Sequence, residues 1–197
     1  LKGLTPLVRL TANDPCQIKR VMDAGSHGVI VPMVITRDEA RNAVSAVRYS
    51  PLGTRGVGLA RAQGYGPGFD KYKEWVSRES IVVVQIEHIK AVENLEQILS
   101  VEGIDAFIVG PYDLSGSLGV PGDFEHRDMI EALDHIRKIS GKMSISPGYH
   151  VVPPDTEMAK QKIGEGYNFL AFSTDFLFLG ETCRRGMKDL RGFCKKL

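Results

Sequence analysis

Short β-branched runs alternate with helical patterns along this whole chain, and that alternation leaves few folds open. Residues 7–10, 28–34, 81–87, 104–109, 143–146 and 169–172 read as strands, each a few apolar residues bounded by Gly, Pro or polar groups. Between them, residues 15–24, 36–49, 70–78, 91–100, 126–140 and 155–164 repeat apolar positions at helical spacing, and a closing helix begins near Thr174. The boundaries carry their own chemistry. Asp14-Pro15 suits a helix start, Gly25 a helix end, and Thr36-Arg-Asp-Glu39 spells a capping box. Strict alternation predicts a parallel sheet covered by helices, either a doubly wound open sheet or a (β/α)8 barrel. A barrel takes about 250 residues. With 197 residues and a strand already at residue 7, the chain is expected to carry about six βα units. The expectation is a single α/β TIM-barrel domain over residues 1–197, incomplete at its N-terminal side.

Composition narrows the function classes. A net charge of +1 offers no basic field for nucleic acid, and no apolar stretch approaches the ~20 residues of a membrane span. No secretory leader is visible, and Cys16, Cys183 and Cys194 lack metal-knuckle spacing, so free thiols in the cytoplasm are expected. Residues 50–69 form a Gly-rich loop too long for a plain connection. Its Gly53-Thr-Arg-Gly56-Val-Gly58 follows a helix and lacks nucleotide-loop spacing, so nucleotide binding is rejected. Arg55 and Arg61 either reach a substrate or pin this loop.

The chemistry gathers at strand ends. Ile81-Val-Val-Val-Gln-Ile-Glu87 and Ala106-Phe-Ile-Val-Gly-Pro-Tyr-Asp113 each finish in a carboxylate. In a parallel sheet the carboxyl ends of the strands open into the ligand crevice. Glu87 and Asp113 are therefore expected to face one another as hard oxygen ligands for Mg²⁺ or Mn²⁺, with helix capping as the alternative. Gln85 shares a strand face with Glu87 and needs a partner, either substrate or a neighbouring strand end. Arg9, a charge inside a strand, suits a carboxylate, a developing enolate oxygen or a salt bridge. The Gly110-to-Ser117 turn offers backbone N–H groups for a small carboxylate, or is a plain turn. Among the histidines only His150 falls on the catalytic side. No Ser-His-Asp arrangement and no strand lysine for a Schiff base is seen.

Taken together, Pro6-Leu-Val-Arg-Leu10, Asp23-Ala-Gly, Val29-Ile-Val-Pro-Met-Val34, Gly53-Thr-Arg-Gly-Val-Gly58, Gln85-Ile-Glu87 and Gly110-Pro-Tyr-Asp-Leu-Ser115 resemble the HpcH/HpaI aldolases. These are class II, metal-dependent pyruvate aldolases. The resemblance implies that Glu87 and Asp113 ligate Mg²⁺, Mn²⁺ or Co²⁺, and that Gln85 contacts the oxo acid. It makes Arg9 the enolate-stabilising arginine, Asp23 the support of the family's catalytic histidine, and the backbone of Tyr112 and Asp113 the seat of the pyruvate carboxylate. It also implies a homohexamer with exchanged C-terminal helices. The family's histidine base lies in a βα unit ahead of the Arg9 strand, so no residue here matches it, and a fragment is the expectation. The activity implied is cleavage or formation of a 4-hydroxy-2-oxo acid, giving pyruvate and an aldehyde. A CoA-thioester lyase of the citrate lyase β-subunit or malyl-CoA type, and a catalytically silent barrel fragment, are the alternatives.

Overall fold

The computed structural model describes residues 3–195. Six strands lie in chain order: β1 (Leu7–Arg9), β2 (Gly28–Val31), β3 (Ile81–Ile86), β4 (Ala106–Val109), β5 (Ser146–Val151) and β6 (Phe169–Phe172). All neighbours pair in parallel. The helices are α1 (Pro15–Asp23), α2 (Arg37–Val47), α3 (Phe69–Glu79), α4 (Ile89–Glu93), α5 (Leu95–Leu99), α6 (Pro111–Ser117), α7 (Arg127–Ser140), α8 (Thr156–Gly164) and α9 (Asp175–Cys194). The predicted caps form. Asp14 accepts from the Cys16 N–H at 2.9 Å with Pro15 opening α1. Thr36 and Glu39 exchange hydrogen bonds of 3.2 and 3.0 Å at the start of α2.

The pleat divides the core in two. Val29, Val82, Val84, Ile86, Phe107, Val109 and Tyr149 face outward and are buried with helix residues such as Ile18, Ala43, Ile98, Met129 and Ile136. Val83, Ala106 and Ile108 face inward, and Leu7 of β1 and Ala171 of β6 pack against that same small cluster. Residues from the first and last strands can meet there only because the sheet curls. Of the two folds that the alternation leaves open, the unbroken strand order and the curl give the partial (β/α)8 barrel.

Two elements depart from the sequence reading. The fifth strand is Ser146–Val151, not residues 143–146. Pro147 and Gly148 look like a turn, yet both lie in the ladder. A Cβ on Gly148 would sit 2.5 Å from the Phe107 carbonyl oxygen, so only glycine lets the strands approach there. The helix read over 91–100 is two short helices, α4 and α5, which meet at Asn94. Its side chain donates to the Ile35 carbonyl at 2.9 Å, a tertiary bond that outweighs helix continuity. No helix among the described residues is long and apolar enough to cross a membrane. All three cysteines are free and exposed.

Candidate active site

Strand β3 delivers Gln85 and Glu87 to the inner face at its carboxyl end. Glu87 is 2% exposed, and each of its carboxylate oxygens accepts one hydrogen bond. Its Oε1 accepts the Met33 N–H at 2.8 Å, and its Oε2 accepts from the Gln85 amide. Gln85 Oε1 in turn accepts from Arg9 Nε at 3.3 Å, so β1 is joined to β3 by one continuous hydrogen-bonded line. Met33 adopts φ 53°, a left-handed backbone that is uncommon outside glycine. That turn aims its N–H at Glu87. Gly110 closes β4, and a Cβ there would lie 2.7 Å from Gln85 Nε2 and 2.8 Å from Glu87 Oε2. The glycine makes room for the carboxylate.

Asp113 occupies the first turn of α6, on the adjacent strand's exit. Burial pushes the Glu87 carboxyl up from its ordinary range, the Met33 N–H and Arg9 pull it down, and the neighbouring Asp113 charge pushes it up again. Arg9, Gln85, Gly110, Tyr112, Asp113 and His150 are among the residues lining one cavity of about 380 Å³ at this mouth. The structure thus brings together Arg9, Gln85, Glu87, Tyr112 and Asp113. The Tyr112 ring is exposed, while its backbone opens α6.

Asp23 is placed elsewhere. It ends α1, accepts from the buried Arg55 guanidinium at 2.5 Å and from Lys19 at 2.6 Å, and is not part of the cavity lining. Arg55 also lies 4.6 Å over the Tyr49 ring, and Arg61 donates to the Ala24 carbonyl at 2.9 Å. Of the two loop readings, both arginines follow the pinning one. His88 and His126 cap helices α4 and α7 through Nδ1. Sequence reasoning missed Met33, which acts through its backbone, and placed His150 after a strand rather than within β5. The alternation Gly148-x-His150, opposite the outward Tyr149 and Val151, was the signal that could have found it.

Among the described residues no three His, Cys, Asp or Glu side chains are grouped to hold an ion. A closed cage is therefore absent there, but two adjacent carboxylates, Asp113 lining the cavity and Glu87 buried next to it, suit a hard cation that keeps water or substrate oxygens in its shell. One carboxylate buried next to another is electrostatically costly, and a divalent ion would relieve it.

Comparison with known proteins bears on the family and the fold. The HpcH/HpaI aldolase/citrate lyase family model matches residues 2–179. A 2-keto-3-deoxy-L-rhamnonate aldolase of Escherichia coli O6:K15:H31 is 39% identical over 89% of this chain. The chain spans 66% of that relative's length, just under two thirds. A crystal structure of an HpcH/HpaI aldolase/citrate lyase family protein from Burkholderia cenocepacia J2315 superposes with a TM-score of 0.89 at 32% identity, covering 95% of this chain and 74% of the other. An HpcH/HpaI aldolase from Desulfitobacterium hafniense DCB-2 gives 0.87 at 30% identity, covering 96% and 73%. Sequence, fold and strand-end carboxylates all lead to one assignment: the chain belongs to the HpcH/HpaI aldolase/citrate lyase family.

Proposed function

We propose that this chain carries the oxo-acid site of a class II aldolase, which cleaves or forms a 4-hydroxy-2-oxo acid by way of a pyruvate enolate. The observation that supports it is the line from Arg9 through Gln85 to Glu87, ending beside Asp113. Glu87 and Asp113 would hold a divalent cation (Mg²⁺, Mn²⁺ or Co²⁺), which when bound polarises the carbonyl of the oxo acid as a Lewis acid. Arg9 offsets the charge that gathers on the C2 oxygen as the C3–C4 bond breaks and its electron pair passes into the enolate. The C4 hydroxyl becomes the aldehyde carbonyl by giving its proton to a base that none of the residues placed here supplies. Gln85 is held at both ends of its amide, and its second N–H remains for the oxo acid. Pro111 has no N–H, so the donors free at the start of α6 are those of Tyr112 and Asp113, where the pyruvate carboxylate would sit. Asp23 is assigned a positioning role through Arg55 and the 50–69 loop.

A 2-keto-3-deoxy sugar acid, the kind of compound named for the Escherichia coli relative, is itself a 4-hydroxy-2-oxo acid. The CoA-thioester alternative needs basic groups for phosphates. The candidates are Arg55, Arg61 and the stretch Lys71 to Lys73, and both arginines are occupied: Arg55 is buried on Asp23 and Arg61 is bonded to Ala24, which favours the oxo-acid reading. Exchange of the pyruvate methyl protons in D₂O, followed by NMR with added Mg²⁺ or Mn²⁺, tests the site. Glu87→Gln is expected to weaken Mn²⁺ binding and slow exchange by about 100-fold. Unchanged metal-dependent exchange in that variant would refute the assignment.

A further inference from the structure

His150 is the titratable group in this cavity that the chemistry above leaves unused. It lies on the inner face of β5, two residues beyond Gly148, and lines the same space as Arg9, Gln85 and Asp113. The last β4–β5 pair is Val109 with Tyr149, so His150 stands beside Gly110, and on its other side it pairs with Ala171. Gly110 is the residue whose missing side chain makes room for Glu87. Continuing the same row, Glu87, Gly110, His150 and Ala171 follow one another across the cavity mouth. Gly110 leaves the floor low between the Glu87 carboxylate on one side and the His150 imidazole on the other, and Ala171 keeps it low beyond His150.

We infer that His150 forms a hydroxyl-reading subsite, which selects oxo acids and aldehydes bearing a hydroxyl on the carbons beyond the bond that breaks. This rests on the aldolase reading and specifies its substrate class. The cavity that Arg9, Gln85 and the first turn of α6 line on one side is lined by His150 and Val152 as well, so an oxo acid held by the former would share that space with His150. A neutral imidazole donates through one ring nitrogen and accepts through the other, and an alcohol does the same. A second carboxylate would instead need a cation there. Burial and the facing Arg9 charge both disfavour the imidazolium, while Asp113 is the acidic group lining the same cavity. Just past β6, the Ser173 N–H is bonded to the Val151 carbonyl at 2.8 Å, and the Ser173 and Thr174 hydroxyls are buried without partners among the described residues. That strand exit next to His150 is therefore polar as well.

The test compares aldehydes. With pyruvate and Mg²⁺, kcat/KM is measured for lactaldehyde and for propionaldehyde, which lacks the hydroxyl. His150→Leu is expected to lower the preference for lactaldehyde about tenfold, the worth of one buried hydrogen bond, and His150→Asn to restore part of it. A preference unchanged in His150→Leu overturns the subsite, whatever happens to total activity. A second readout avoids turnover. In ¹⁵N-histidine-labelled protein with Mg²⁺, 2-keto-3-deoxygluconate is expected to shift the His150 ring nitrogens and 2-oxohexanoate not to do so. Equal shifts from both acids also overturn it. If pyruvate exchange is metal-dependent but the aldehyde preference does not move, only the subsite falls. If neither Mn²⁺ nor pyruvate binds at the site of Glu87 and Asp113, the aldolase reading falls and takes the subsite with it.

Discussion

Arg9, Gln85 and Glu87 fix one another, so the site depends on how closely its members approach as much as on their charges. Gly110 is the sharpest case. Adding one methyl group would place a carbon 2.8 Å from Glu87 Oε2 and 2.9 Å from Glu87 Cβ, and backbone cannot give way cheaply at a strand end. Gly110→Ala is expected to keep the helical circular-dichroism signal while weakening Mn²⁺ binding by at least tenfold in calorimetry. Unaltered binding would mean that the Glu87 carboxylate is not the ligand. Tyr149 provides a residue-scale test of the core. Burial pushes its phenol up to about 12, with the Glu165 and Glu125 charges adding to it. The unfolded chain therefore gives up this proton first. The contribution is full below about pH 10 and is lost as pH rises toward 12, amounting to about 2–3 kcal/mol at most. Tyr149→Phe should flatten the alkaline fall in stability measured by urea unfolding between those pH values. The sequence made Arg9, Gln85, Glu87 and Asp113 legible because each is a polar side chain breaking an apolar pattern at a strand end. Met33 was not legible, since a backbone N–H has no residue type to betray it.

At the scale of elements, the pattern read well wherever local propensity and tertiary packing agree. The run Ile81–Val84 is β-branched, and with Gln85 and Ile86 it forms a six-residue strand buried from Val82 onward. The capping box at Thr36 and Glu39 forms because its two hydrogen bonds are local to four residues. Strand β5 read badly because local and tertiary demands conflict. Ser146-Pro147-Gly148 has turn composition, yet the barrel needs a residue without a side chain where the Phe169 ring and the Phe107 carbonyl crowd the inner face. The sequence reading ends the strand at Ser146, five residues before its end at Val151, and that is what hid His150. Gly148→Ala is expected to cost about 1–3 kcal/mol by overpacking, read as a lowered urea midpoint at unchanged slope. A neutral effect would show that β5 can slide in the sheet and would weaken the register that sets His150 beside Gly110.

For the whole molecule, the curled sheet accounts for the inner site, and α9 raises a different question. This 20-residue helix has no buried residue, although Phe178 touches Phe172 with ring centroids 5.3 Å apart. Phe176, Leu179, Leu190 and Phe193 are each more than 60% exposed. Leaving such side chains in water forgoes about 1.5–3 kcal/mol apiece relative to burial, a large sum against the stability of one domain. A cover for α9 is therefore worth more than any single contact within the site. We propose that other copies of this chain supply the cover, with C-terminal helices exchanged in a hexamer. The exposed side chains allow this to be tested without disturbing the barrel, because they contribute little to its own core. Leu179→Ser combined with Leu190→Ser is expected to lower the mass measured by light scattering after size exclusion while leaving pyruvate-dependent shifts of the barrel residues in place. An assembly of unchanged mass would show that α9 is covered by something other than a second copy. A fall in mass accompanied by loss of the barrel signals would show instead that the partial barrel depends on its neighbours to stay folded.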